Sequence, residues 1–295
     1  MNVGVCLPYM ERELNREILL AWIRAIDEGP FSSLTCGERI TSYTVEMRIM
    51  LGAAAALTER VRIVPSLYVL PMHSAVWAAK EIATLDVLSD GRVTLVVGVG
   101  GRPMDYEAVG APFARRHARM DEQIAVMRSI WKGEPPLEGG DEVGPTPIQP
   151  GGPPIFAGTM GPVATRRVAE WADGLYMWSG NGQKDEIDRM IKLAESAWAD
   201  AGRGTPPRRL AGFWASLADN AGERMQKYVY DYLKVLSPEL ATAMAKGIDR
   251  CTPDAINRSL DAMEELGCEE TFLVPTTCDV ADIDRMSELV AKRAS

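Results

Sequence analysis

A chain of 295 residues, 46% apolar and 25% charged, has ample material for a buried core and no compositional sign of disorder. Its net charge of −9 argues against nucleic acid or an anionic membrane surface as the main partner, while leaving open a local ring of backbone N–H groups that binds phosphate. The five cysteines are widely spaced and form no C-x-x-C pair, and only His73 and His117 accompany them, so the expectation is reduced thiols and no metal site. The first residues, MNVGVCLPYM, lack the basic region and apolar core of a signal peptide, and no stretch approaches the roughly 20 apolar residues of a membrane span. A cytoplasmic location is therefore expected.

In chain order, Asn2 to Leu7 reads as a first strand and Leu14 to Ile26 as an amphipathic helix, with Ile18, Leu19, Trp22, Ile23 and Ile26 at helical spacing. Ser32 to Cys36 is a short second strand, followed by a polar loop, Gly37 to Tyr43, and a helix from Val45 to Leu57. Val61 to Val64 is the third strand, and a helix runs from Ser74 to Leu88. After the turn Ser89-Asp90-Gly91, Val93 to Val97 is an almost unbroken apolar strand, as expected when both faces are covered by helices in a parallel sheet. The next helix ends at Trp131. The Pro- and Gly-rich stretch near 133–153 lacks apolar periodicity and reads as a surface excursion.

Pro154 to Ala157 is the fifth strand with a helix from Gly161 to Ala172, and Gly174 to Met177 is the sixth with a helix from Gln183 to Ala201. Arg209 to Leu217 is the seventh strand. Ala221 to Lys246 looks helical but lies outside a simple β-α count, which makes it a candidate lid or oligomer contact. A helix from Pro253 to Leu266, the strand Thr271 to Val274 and the helix Val280 to Ala294 complete the series. Eight strands alternating with helices predict a (β/α)8 TIM barrel as one domain, residues 1–295.

In such folds sites form at the carboxyl ends of strands. Gly98-Val99-Gly100 ends the fourth strand, where missing Cβ atoms allow close approach of a ligand. Phe156-Ala157-Gly158-Thr159-Met160-Gly161-Pro162 reads as a strand, a small-residue turn and a helix start, an arrangement that frees N–H groups for a phosphate; a tight turn without ligand is the other reading. A Rossmann fingerprint is the weaker interpretation of the earlier glycines, because Pro103 stands where a third small residue is needed and Gly101-Arg102-Pro103 does not start a helix well enough to hold a pyrophosphate. No strand-end lysine or carboxylate cluster suggests an aldolase or isomerase.

TLDVLSDGRVTLVVGVGG resembles the core signature of the luciferase-like flavin oxidoreductases, and the likeness extends through Pro71-Met72-His73, Glu107, Gly110, Pro112-Phe113, Arg116, Asp121-Glu122, Trp131, PPIFAG and ADGLY. The resemblance implies a (β/α)8 barrel binding coenzyme F420 or, alternatively, FMN. It implies a cis peptide at Ser66-Leu67 behind the cofactor ring, and a phosphate cradle of Gly158, Thr159, Met160 and Gly161 completed by Trp178-Ser179-Gly180. Glu38 stands where F420 enzymes of this kind often place a histidine, and is the first candidate proton donor. His73 reads either as a helix-start residue or as a proton donor. Glu107 matches a family glutamate that is either catalytic or fixes its loop through Arg116, while His117 is expected on a solvated helix face. Met72, Met160 and Met177 are candidates to line an apolar pocket. The implied activity is hydride transfer between F420 and an apolar organic substrate in a homodimer. The alternatives are an FMN-dependent monooxygenase and a non-catalytic flavin-binding barrel.

Overall fold

The computed structural model describes residues 1–294. Eight parallel strands close into a barrel in sequence order: β1 (Asn2–Cys6), β2 (Ser33–Cys36), β3 (Arg62–Tyr68), β4 (Leu95–Val97), β5 (Ile155–Gly158), β6 (Gly174–Trp178), β7 (Arg208–Trp214) and β8 (Glu270–Val274). The helices between them are α1 (Arg16–Glu28), α2 (Met47–Leu57), α3 (Ala75–Leu88), α4 (Pro103–Ala108), α5 (Arg116–Trp131), α6 (Pro162–Val168), α7 (Lys184–Asp200), α8 (Ala221–Leu233), α9 (Pro238–Gly247), α10 (Pro253–Glu265) and α11 (Val280–Ala294). The extra helical segment expected near 221–246 resolves into α8 and α9, split at Ser237-Pro238, where the serine caps α9 by accepting from Leu240 N. Among the described residues no helix is long and apolar enough to cross a membrane.

The chain forms two compact units. In the unit that holds both chain ends, β7 pairs with β8 and β8 with β1, in registers that include Leu210↔Glu270 and Val5↔Leu273. Asp282 on α11 is fully buried there; it accepts from Ser216 Oγ at 3.0 Å and from the Leu217 amide, tying β7's exit to α11. Burial pushes its carboxyl up from 3.8 to about 6. Because the folded value lies above the unfolded one, its contribution to stability is complete below about pH 4 and is lost as pH rises through 6, on the order of 2–3 kcal/mol in all. Asp282→Asn is expected to flatten the pH dependence of the urea midpoint between those limits. Identical pH slopes for the two proteins would refute this assignment.

In the other unit β3, β4, β5 and β6 pair in order. The β3–β4 register slips between Ser66 and Tyr68, so Leu67 is an extra residue on β3, a bulge. The Ser66-Leu67 peptide is cis. The amino end of β4 is knotted by Arg92, which donates to the carbonyls of Ala55, Thr58, Val61 and Ser89 and to Thr58 Oγ1, at 2.6–3.1 Å. The excursion near 133–153 is mostly exposed and without regular structure, yet it is anchored: Gln149 donates through N and Nε2 to buried Asp86 at 3.0 and 2.7 Å. Gly152 lies against Trp131, where an added Cβ would come within 2.2 Å of the indole.

A short helix of 6 residues starts at Pro103, because proline at the first helical turn gives up an N–H that has no intrahelical partner anyway. One local expectation changes. The helix predicted from Gly161 to Ala172 ends at Val168, and Asp173 beyond it accepts from Ile155 N at 2.7 Å, fastening that segment to β5.

Candidate cofactor site

The bulge residue Leu67 organises the carboxyl ends of β3, β4 and β5. A Cβ on Gly98 would stand 2.8 Å from Leu67 Cδ1, and one on Gly158 would stand 2.7 Å from Leu67 Cδ2. The two methyl groups therefore rest on the two glycines. At Gly98 and Gly158 the missing Cβ atoms thus make room for a leucine side chain. Leu67 stays partly exposed and offers an apolar, fixed platform.

Beyond β4, Gly100 has a φ of +60°, and an added Cβ would meet Val69 Cγ1 at 2.9 Å. The Val99 carbonyl accepts from the Tyr106 hydroxyl. Tyr106 packs with Val69 and Met72 in a small buried cluster against which Ala111 and Phe113 lean. The rings of Tyr106 and Phe113 meet edge to face at 5.1 Å, and the Arg116 guanidinium lies 3.9 Å from the Phe113 centroid. The Pro112-Phe113 and Arg116 positions of the sequence signature thus pack the loop after β4 onto the segment after β3.

Glu38 and His73, predicted on separate loops, come together. Glu38 Oε1 and His73 Nε2 are 2.8 Å apart, and Glu38 Oε2 accepts from Val69 N at 2.6 Å. The Glu38 side chain is only 4% exposed. His73 starts the connection to α3, with its amide bonded to the Leu70 carbonyl at 2.9 Å, its own carbonyl accepting from Gln123 Nε2 at 2.7 Å, and its ring 4.7 Å from that of Tyr68. Tyr68 donates to Glu81 Oε2 at 2.7 Å, and Arg48 pairs with Glu81 Oε1 at 3.2 Å. A cleft of about 460 Å³ opens beside His73, lined by Arg48, Met72, His73, Ser74, Trp77 and Glu81. It lies against α2 and α3 and includes none of the glycines at the strand ends.

Glu107 does not join this pair. It is exposed on α4 and makes no ion pair among the described residues, whereas Arg116 donates to the Phe113 carbonyl. Its neighbour Asp105, buried, accepts from the amide and the hydroxyl of Thr41 and so fixes the Glu38 loop to α4. His117 is half-buried, and burial followed by the nearby Arg116 lowers its pKa, in place of the solvated face expected.

At the turn after β5, Thr159 Oγ1 bonds Thr165 Oγ1 at 2.9 Å, and Thr165 Oγ1 donates to the Gly161 carbonyl at 3.0 Å. Gly161 caps α6 without any side-chain hydrogen bond, and a Cβ built on it meets nothing within 4 Å. Met160 is 91% exposed, and Met72 and Met177 are buried. The turn therefore has open space beside Gly161 and uncapped N–H groups in the first turn of α6.

Trp178-Ser179-Gly180, in the other compact unit, is bonded internally. Ser179 Oγ donates to Glu186 Oε2 at 2.6 Å and accepts from Gln183 N at 2.9 Å, which caps α7, while Ser179 N donates to the Gly212 carbonyl. Trp178 meets Trp214 edge to face at 5.0 Å, and a Cβ on Gly180 would stand 2.8 Å from Ile248 Cδ1. These contacts fasten α7 and the ends of β6 and β7. Sequence reasoning also passed over Glu11 in this unit, whose carboxyl is raised to about 7 by burial and then by adjacent Glu13.

Among known proteins, an uncharacterised protein of Mycobacterium tuberculosis is 34% identical over 176 residues, 57% of this chain and 61% of that protein, so the chain spans under two thirds of that relative. An F420-dependent glucose-6-phosphate dehydrogenase of Beutenbergia cavernae is 36% identical over 158 residues, covering 50% of this chain and 46% of the enzyme. In fold, the chain is similar to the FMN-bound oxygenating constituent of 3,6-diketocamphane monooxygenase from Pseudomonas putida, with a TM-score of 0.76 at 18% identity, covering 99% of this chain and 98% of that one. The family model described as luciferase-like monooxygenase matches residues 1–291, and with the closed barrel and the bulged third strand it leads to one conclusion: this chain belongs to the luciferase-like monooxygenase family.

Proposed function

We propose that the protein is an oxidoreductase that moves a hydride between coenzyme F420 and an apolar organic substrate, with Glu38 and His73 handling the matching proton. The observation that carries this reading is the pairing of a nearly buried carboxylate with an imidazole at 2.8 Å, on the segments that follow β2 and β3. A histidine held through one nitrogen by a buried carboxylate keeps the other for proton exchange, and a positioned acid or base contributes about 10²- to 10⁴-fold to rate.

The chain offers features that fit a cofactor with a flat ring and a phosphate. Leu67 presents a partly exposed apolar surface seated on Gly98 and Gly158, and the turn beside Gly161 has room and uncapped N–H groups. When bound, a deazaflavin supplies the hydride-carrying carbon; the residues supply orientation and the proton. F420 is preferred to FMN because the Gly158-to-Pro162 turn resembles that branch and because an F420-dependent relative is 36% identical over 50% of the chain. The FMN-dependent reading draws on the likeness in fold to an FMN-bound monooxygenase.

Fluorescence titration of purified protein with F420 and, separately, with FMN tests the proposal. Tight binding of F420 and turnover with an acceptor panel are the expected results. Gly161→Val is expected to weaken cofactor binding at least tenfold, because its side chain enters open space at the turn without touching Leu67, while Gly140→Val, in the excursion, leaves binding unchanged. Binding of FMN alone would move the protein to the monooxygenase branch, and cofactor binding without electron transfer to any acceptor would favour a non-catalytic barrel. Equal affinity in wild type and Gly161→Val would remove the turn from the site.

A further inference from the structure

The carboxyl ends of β1 and β8 lie side by side, since the strands pair in parallel through Val5↔Leu273. The connections that follow bring two neighbouring glutamates together with a cysteine from near the other end of the chain. The carboxylate oxygens of Glu11 and Glu13 and the sulfur of Cys278 all lie within 4.8 Å of one another. We propose that Glu11, Glu13 and Cys278 form a binding site for a divalent transition-metal ion of the zinc class.

The cysteine makes this set more than a patch of surface acids. Cys278 is only 7% exposed, and among the described residues its thiol makes no hydrogen bond to another residue. Its backbone is fixed, because its carbonyl accepts from Trp22 Nε1 at 3.2 Å. In the same turn the Thr276 hydroxyl, 2% exposed, also has no partner among the described residues. A buried sulfur facing two carboxylates without a polar partner is the arrangement that a metal ion completes.

The neighbouring cations do not fill that role. Arg224 and Lys227 on α8 are close enough to influence Glu11, but Arg224 donates to Thr277 Oγ1 at 2.8 Å and Lys227 pairs with Asp231 at 2.8 Å. Neither forms an ion pair with Glu11 or Glu13 among the described residues. Around a tetrahedral ion the ligand atoms stand roughly 3.5 Å apart, so a set already within 4.8 Å needs only small side-chain rotations to close on one.

Ligand chemistry selects the ion. One thiolate with two carboxylates suits zinc or cobalt, whereas magnesium and calcium take oxygen ligands throughout. Binding forms one metal–sulfur bond and releases the thiol proton to solvent, with no change of oxidation state. Three protein ligands leave the fourth position to water on the exposed side of Glu13.

Titration of the untagged, full-length protein with Co²⁺ tests the site through thiolate-to-cobalt charge-transfer absorption. The expected result is a band that saturates at one equivalent, is abolished by added Zn²⁺ and is unaffected by excess Mg²⁺. Cys278→Ser is expected to eliminate the band, and Glu13→Gln to weaken Co²⁺ binding at least tenfold. Glu13 is exposed, so its variant carries the test even if Cys278→Ser does not fold. Absence of a saturable band, a band that persists in Cys278→Ser, or undiminished affinity in Glu13→Gln would each overturn the proposal.

Discussion

Glu38→Gln and His73→Ala are each expected to lower turnover by about 10²- to 10⁴-fold while leaving cofactor affinity within a few-fold. Both oxygens of Glu38 are engaged, one by His73 Nε2 and the other by Val69 N, so the carboxylate orients the imidazole as well as the backbone beside the Leu67 bulge. Glutamine can keep the Val69 bond through its oxygen, but it presents N–H groups to the ring and imposes the other tautomer on it. Alanine at 73 removes the imidazole and leaves Glu38 with an unsatisfied oxygen. Groups that act as one unit lose their effect together, so the double variant is expected to be no slower than the slower single one. Rate losses that multiply would show two independent roles. Normal turnover in both single variants on a confirmed substrate would mean that the proton comes from water or from the substrate.

Arg92→Ala is expected to destabilise the protein by about 3–5 kcal/mol, read as a fall in the urea midpoint at unchanged slope. The guanidinium satisfies four backbone carbonyls and one hydroxyl where α2 and α3 end and β3 begins, so its loss strips several acceptors at once. Arg92→Lys is expected to recover little, because an ammonium cannot reach acceptors arranged around a planar fork. A loss below about 1 kcal/mol would mean that water replaces the knot without penalty.

In SDGRVTLVVGVGG, the stretch with the strongest family signature, the early residues secure the amino end of β4 through Arg92, and the glycines stand at its carboxyl end, where sites form in such barrels. The alternation of strands and helices was legible because buried apolar runs and helical periodicity are local properties of the chain. The cis bond at Ser66-Leu67 was legible only through family resemblance.

What escaped were pairings that only the folded chain creates. Glu38 was singled out as a proton donor through resemblance, but nothing near it in sequence announces that His73 and Val69 N are its partners. Asp105, two positions before the glutamate singled out, holds Thr41, 64 residues away. Ser179, named for the phosphate cradle through resemblance, also caps the helix that follows it. Glu11, Glu13 and Cys278 were invisible to a search for closely spaced ligands, because barrel closure is what brings the first and last strands together.

The seat of Leu67 on two glycines binds the histories of three strands to one another. A methyl group added at 98 or 158 stands 2.8 or 2.7 Å from a leucine methyl already in place, so the side chain at 67 must swing aside to admit it. Shortening Leu67 alone instead opens space above both glycines. The order of substitution therefore matters: a side chain at either glycine is accommodated more easily once position 67 has become smaller.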